Sequence, residues 1–343
     1  MTRTGRWALG FALALTLAAN ATQTSADAGV LEKVRTRGHV VCGVGDGPPG
    51  YSAVNTQGVW SGISVDLCRA LSAAVLGNRE AVKFLLVPAA ERFSALQSGE
   101  LDVLSRNVAM TSSRDTTLGI RFPGVLVYDG QGFMVRKAQG VASALELSGA
   151  RICVTTETAD EQGIADYFGS HKMPFELVRF DKWTDVVMAY ANKACQVLSA
   201  DVSVLAMTRQ QFADSGEHIL LPELASKHLV GPVVKQGDDE WFSVVRWTIF
   251  ALVAAEELGI TDTNVDNVKG SGSAEAKRFL GLEMDLGKHL GLSADWTQRI
   301  VKQVGNYGQM FERHLGQKSS VKLDRRLNNL WNNGGLHYAP QFR

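Results

Sequence analysis

The 343-residue chain predicts an α/β protein of two similar lobes, each a sheet flanked by helices, joined by two crossing strands. Three observations lead there. A strand–helix–strand rhythm runs through residues 39–104 and starts again near residue 130. Two cysteine pairs, Cys42 with Cys68 and Cys153 with Cys195, occupy matching places in the two halves. An export leader precedes both, which sends the cysteines to an oxidising compartment.

The leader is read from charge and length. Met1 to Arg6 carries two positive charges and no acid, and Trp7 to Ala19 is a 13-residue run of apolar, Gly and Thr residues. Ala19-Asn20-Ala21 is a small-x-small cleavage site, with Thr24-Ser25-Ala26 as a nearby alternative. The expectation is a signal peptide over 1–21, because a spanning helix needs ~20 apolar residues. The longest later apolar stretch, Trp247 to Ala255, is shorter still, so a soluble mature product is expected. The cut removes Arg3 and Arg6 from 35 basic residues set against 35 acidic ones. A near-neutral surface carries no footprint for nucleic acid or anionic lipid. About 320 remaining residues exceed one core, which stops growing near ~250–300.

Four cysteines allow three connectivities. There is no Cys-x-x-Cys, and all four sit in apolar runs (VVCGV, VDLCRAL, RICVT, KACQVL), so structural disulfides are expected rather than metal or redox chemistry. Nearest-neighbour pairing, Cys42–Cys68 and Cys153–Cys195, keeps each bridge inside one folding unit.

In chain order, residues 30–37 read as a short helix and Gly38 releases the strand His39–Val44. The run 45–51 is a loop by its Gly and Pro content, and 60–62 a turn. Ile63, Leu67, Ala70, Leu71 and Ala74 recur at helical spacing over 63–76. A strand over 83–87, a helix over 91–98 stopped by Gly99, and a buried strand over 101–104 complete the first cycle. The second cycle places strands at 130–135, 151–154, 176–180 and 196–199, with helices at 164–168 and 184–192 and another from Asp201. Strands 130–136 and 229–235 form the crossing pair. Residues 30–132 plus 236–343 then make lobe 1, with a helical C-terminal extension, and 133–235 make lobe 2. Residues 262–292 look like a helical hairpin, and the tail 330–338 is apolar enough to pack back.

Ligands on such sheets bind beyond the carboxyl ends of the strands. In lobe 1 that place is Ser105 to Asp115, where Thr111 and Arg114 share a face at helical spacing. Arg114 either grips a carboxylate or pairs with Asp115, and Thr111 either donates to ligand or caps a helix. In lobe 2 it is Thr155 to Glu161, where a strand turns into a helix whose free N–H groups favour an anion. Asp201 either holds an ammonium or caps the following helix, and the cap is the stronger reading from spacing. Glu157 and Asp160 are the paired acids at a cleft position, and helix stabilisation is their simpler role. No Gly-x-Ser-x-Gly, P-loop or His-Glu-x-x-His occurs, so no catalytic centre, cofactor or metal is expected.

The segments GISVDLCRALSAAVLG (62–77), ERFSALQSGELDVLSRN (91–107), SRDTTLG (113–119), GPVVKQGDDEWFSVVRWTIFAL (231–252) and LWNNGGLHYAP (330–340) resemble the periplasmic solute-binding proteins of polar-amino-acid ABC transporters, in the general L-amino-acid-binding branch. The resemblance covers nearly the whole mature chain, cysteine positions included. It implies a type II periplasmic-binding-protein-like fold and a periplasmic, monomeric receptor that hands an amino acid or related zwitterion to an inner-membrane ABC permease. By position it implies that Arg114, with Thr111 beside it, binds the α-carboxylate and that Asp201 binds the α-ammonium. It places Asn107 and Ala109 in the same pocket, and Glu157-Thr158-Ala159 on the turn that closes over the carboxylate. Ala109 and Ala159 stand where the family carries hydroxyl residues, and Glu157 where it carries glycine, which implies a shifted ligand preference. An opine-like derivative is the alternative ligand, and a cyclohexadienyl-dehydratase-like enzyme, needing Glu157 or Asp160 as its acid, the more distant alternative.

Overall fold

Helix α1 (Val30–Arg37) and strand β1 (Val40–Val44) open lobe 1. The structure, a computed structural model, describes residues 1–2, 28–45 and 50–343. The apolar run and cleavage site of the expected leader, and residues 46–49 of the first loop, lie outside the described residues. Two short strands, β2 (Ala53–Val54) and β3 (Trp60–Ser61), pair as a hairpin where the sequence suggested only a turn. Gly62 then starts helix α2 (Ile63–Leu76) at φ 134°, and a Cβ there would lie 2.1 Å from the Tyr51 carbonyl oxygen. Strand β4 (Val82–Leu86), helix α3 (Arg92–Ser98), strand β5 (Val103–Leu104), helix α4 (Ser112–Thr117) and strand β6 (Ile120–Arg121) follow. Strands β4, β1 and β5 form the parallel sheet that the alternation predicted.

Lobe 2 is built on β7 (Val127–Arg136), β8 (Ala150–Thr155), α5 (Asp160–Ser170), β9 (Phe175–Phe180), α6 (Trp183–Ala191), β10 (Val197–Asp201), α7 (Val202–Gln211), β11 (His218–Leu220) and β12 (Ser226–Val230). Its sheet is mixed. Strands β9, β8 and β10 run parallel, whereas β7 pairs antiparallel with β10, β11 and β12. The physical reason is the crossing: a chain that leaves lobe 1 and returns beside itself makes an antiparallel pair.

That ladder runs from Val127↔Val230 to Gln131↔Ser226, a few residues earlier than the strands expected at 130–136 and 229–235. Gly231 and Pro232 end β12, since proline has no N–H to donate. Strand β13 (Val234–Lys235) then pairs with β6.

Helix α8 (Asp239–Glu257) packs on α2, and the indole N–H of its buried Trp241 donates to the Asp102 carbonyl at 2.7 Å. Helices α9 (Val265–Ser271) and α10 (Ala274–Phe279) form the expected hairpin, and α11 (Trp296–Val304) and α12 (Tyr307–His314) cover α2 and α8. The tail packs back as expected: the Phe342 ring lies 5.2 Å from Trp247 and 5.1 Å from Phe279, and His337 lies 4.0 Å from Tyr307.

Both disulfides pair as nearest neighbours. Cys42–Cys68 ties β1 to α2, and Cys153–Cys195 ties β8 to the turn before β10.

Candidate functional site

A cleft opens between the carboxyl ends of the two sheets, and its two walls carry opposite charge. The lobe 1 wall presents Arg92, Arg106 and Arg114, and the lobe 2 wall presents Asp160 and Asp201, with His228 of β12 beside them.

Arg114 is aimed by its local turn. The Thr111 hydroxyl caps α4, accepting from the Arg114 backbone N–H at 3.3 Å. The guanidinium then folds back so that Nη1 donates to the Ala109 carbonyl at 2.8 Å, which leaves the rest of the fork facing the cleft. Asp115 is engaged elsewhere: its Oδ1 accepts from the Phe122 N–H at 3.2 Å and lies 3.9 Å from Arg121. The alternative in which Arg114 pairs with Asp115 is therefore not what the fold adopts. Burial lowers the Arg114 pKa, and Asp160 and Asp201 across the cleft work against that shift.

Arg92 was missed as a site residue. It is only 4% exposed, in the first turn of α3 and on the same face as Leu96. An arginine in phase with an apolar stripe was the signal. Its guanidinium stands 4.5 Å from the Phe93 ring and donates to the Ala89 carbonyl. Burial, together with Arg106 and Arg114, lowers its pKa to about 9.

In lobe 2, β8 ends at Thr155 and the chain turns into α5. Thr158 stabilises this turn, its hydroxyl donating to the Thr155 carbonyl at 2.8 Å and accepting from the Asp160 N–H at 3.3 Å. Glu157 holds φ 58°, the left-handed region that glycine adopts without steric cost. Its side chain is exposed to solvent and does not line the cleft.

Asp201 ends β10, and its side chain makes no cap to α7. The Ser203 N–H at the start of α7 reaches Asp129 Oδ2 instead, at 3.4 Å. Asp201 Oδ1 meets His228 Nδ1 at 2.6 Å, and Asp160 Oδ1 lies 3.9 Å from the same nitrogen. These three side chains would surround a small cation, which an ammonium group satisfies with hydrogen bonds. Gln131 anchors the arrangement, donating from Nε2 to the Asp160 carbonyl and to Ser199 Oγ, each at 2.9 Å. Burial and the Asp201 charge raise both Asp160 and Asp129 to about 7. Burial would lower His228, but the bond to Asp201 and its charge outweigh it and the pKa is raised.

Of the residues expected from sequence, Asn107, Ala109, Arg114, Thr158, Ala159 and Asp201 line one cleft, while Thr111 serves as a cap and Glu157 faces outward. Trp183 also lines it, its indole N–H buried without an acceptor among the described residues.

A two-lobed α/β body with a charge-polarised cleft at a strand hinge defines a class of protein that closes on small solutes. The chain belongs to the bacterial extracellular solute-binding proteins, family 3, whose profile matches residues 40–261. It is a solute-binding protein and not an enzyme. It is 49% identical over 322 residues to the general L-amino acid-binding periplasmic protein AapJ of Rhizobium johnstonii, covering 93% of this chain and 94% of that protein. The glutamate/glutamine/aspartate/asparagine-binding protein BztA of Rhodobacter capsulatus is 44% identical over 320 residues, 93% of this chain and 95% of its own length. Among solved structures, a periplasmic binding protein of an ABC transporter from Brucella ovis with glutathione bound superposes at TM-score 0.90 and 46% identity, covering 92% of this chain and all of that one. Among the described residues no helix is long and apolar enough to cross a membrane.

Proposed function

We propose that this chain is the periplasmic receptor of an ABC importer and captures L-amino acids by closing its two lobes. The observation that carries the reading is the polarised cleft: the Arg114 guanidinium, held through Nη1 on the Ala109 carbonyl, lines it opposite Asp201 and Asp160. A zwitterion fits that polarity in one direction, its carboxylate on Arg114 and its ammonium at Asp201. Asn107, Ala109, Thr158 and Ala159 shape the space between, and Thr111 acts through Arg114. The names of AapJ and BztA point to the same ligand class.

In this reading residues 30–132 plus 236–343 form one lobe and 133–235 the other, a signal peptide is cleaved near Ala21, and the monomer delivers its ligand to an inner-membrane permease. Closure is a population shift, limited by how much better the ligand binds the closed state.

The small side chains of Ala109 and Ala159, and the glutathione in the Brucella ovis structure, favour a second reading in which the ligand is an amino-acid derivative. Thermal-shift measurements with the twenty amino acids, glutathione and an opine separate the two. A rise with common amino acids that disappears in Arg114→Ala supports the first; no rise with any of them sinks it.

A further inference from the structure

The ammonium side of the cleft gathers more negative charge than one ligand cation balances. Asp201 at the end of β10, Asp160 at the start of α5 and Asp129 on β7 all face His228 of β12. His228 Nδ1 lies 2.6 Å from Asp201 and 3.9 Å from Asp160, and its Nε2 meets Ser226 Oγ at 2.9 Å. Asp129 is its register partner across the hinge ladder. Two more groups face the cluster: Arg114, which acts on Asp160 and Asp201 through space, and Tyr51, whose hydroxyl lies 3.4 Å from Asp129 Oδ2. Among the described residues, His228 is the one basic side chain within ion-pair distance of Asp201 or Asp160.

A buried carboxylate needs a counter-ion. An imidazolium at His228 would supply it before ligand arrives, at the edge of the space where a ligand ammonium would sit. Two cations at one carboxylate pair repel, so the arrival of one disfavours the other.

We propose that His228 makes amino-acid capture proton-linked: the ligand's ammonium takes over as counter-ion of Asp201 and Asp160, and the His228–Asp160–Asp201 cluster releases a proton to solvent as it binds. This rests on the receptor reading above. The direction follows from both titrating partners. An ammonium favours ionised Asp160, whose pKa burial has raised to about 7, and disfavours the imidazolium of His228. Binding favours the deprotonated form of each, so the cluster loses up to one proton and affinity rises with pH through neutrality and falls in mild acid. With one proton released, the change approaches about tenfold per pH unit.

The test is titration calorimetry of the full mature chain with L-glutamine and L-alanine near neutral pH, in phosphate and in Tris. Binding heats that differ between the buffers in the sense of proton release, and a dissociation constant at about pH 6 at least about tenfold above that at about pH 8, are expected. His228→Gln keeps a hydrogen-bonding side chain but cannot carry the proton, and it narrows that acid penalty. Equal heats in both buffers with a flat pH profile overturn the proposal while leaving the receptor reading intact. Uniform weakening in His228→Gln at every pH also overturns it, since that marks a purely structural role. If neither probe nor any other common amino acid binds the wild type, the receptor reading itself fails, and the proposal with it.

Discussion

Arg92 on lobe 1 and Glu157 on lobe 2 are tied by one hydrogen bond: the Arg92 guanidinium donates to the Glu157 backbone carbonyl at 2.6 Å. A second tie, Ser203 Oγ to the Tyr51 hydroxyl at 3.2 Å, joins α7 to the start of lobe 1. Both bonds cross from one lobe to the other.

Arg92→Ala should therefore weaken closure on any ligand. A charge-assisted hydrogen bond contributes roughly 1.5–3 kcal/mol, which corresponds to an affinity loss of about 10- to 100-fold. Calorimetry across several amino acids checks this; a loss confined to one ligand contradicts a role in closure.

Glu157 adopts φ 58°, a conformation that costs a side-chain-bearing residue roughly 1–2 kcal/mol. Glu157→Gly should leave stability unchanged or raise it by up to about 1 kcal/mol, whereas Glu157→Val should lower it by about 1–2 kcal/mol or more, because a β-branched residue tolerates positive φ least. Denaturant unfolding of both variants decides it.

Acid should destabilise the protein in two stages. His337 is buried against Tyr128 and Tyr307, its Nε2 has no hydrogen-bond partner among the described residues, and burial lowers its pKa to about 3. The unfolded chain takes up that proton first, so stability falls as pH drops below about 6.5 toward the folded value. Asp66 behaves differently. Burial alone would raise its pKa, but the His314 Nε2 at 2.7 Å and Arg313 Nη2 at 2.5 Å hold it well below the usual carboxylate range. Its contribution is present above about pH 4 and is lost as pH falls further. His337→Phe keeps the ring and should flatten only the first stage, as read from melting temperature against pH.

The Cys153–Cys195 bridge closes a separation of 42 residues and Cys42–Cys68 one of 26. By loop entropy these contribute roughly 4 and 3.5 kcal/mol. Replacing Cys153 and Cys195 together by Ser should cost more stability than replacing the first pair, measured by urea unfolding under non-reducing conditions.

Much of the frame was legible in sequence because it rests on local periodicity. The helix over 63–76 and the strand over 40–44 follow from apolar spacing and flanking glycines, and the disulfide pairing from chain proximity. The mixed lobe 2 sheet was not, because strand direction depends on how distant segments meet. Arg114 and Asp201 were found at strand ends, but spacing favoured a cap for Asp201, and the cap bond goes to Asp129. His228 escaped notice because nothing local marks a histidine that becomes a partner of residues 27 and 68 positions earlier.

Gln131 sits at the lobe 2 end of the crossing ladder, fully buried and bonded to α5, β10 and β12 at once. Gly163 of α5 lies so close that a Cβ there would come within 2.0 Å of Gln131 Oε1. In the proposed closure, the strands beyond this clamp would move with lobe 2, and bending would fall on the ladder residues toward Val127 and Val230. A pivot that short acts as a lever with a long arm. In that closure, small backbone rotations there would swing the cleft mouth widely, so a handful of dihedral angles would set how far it opens.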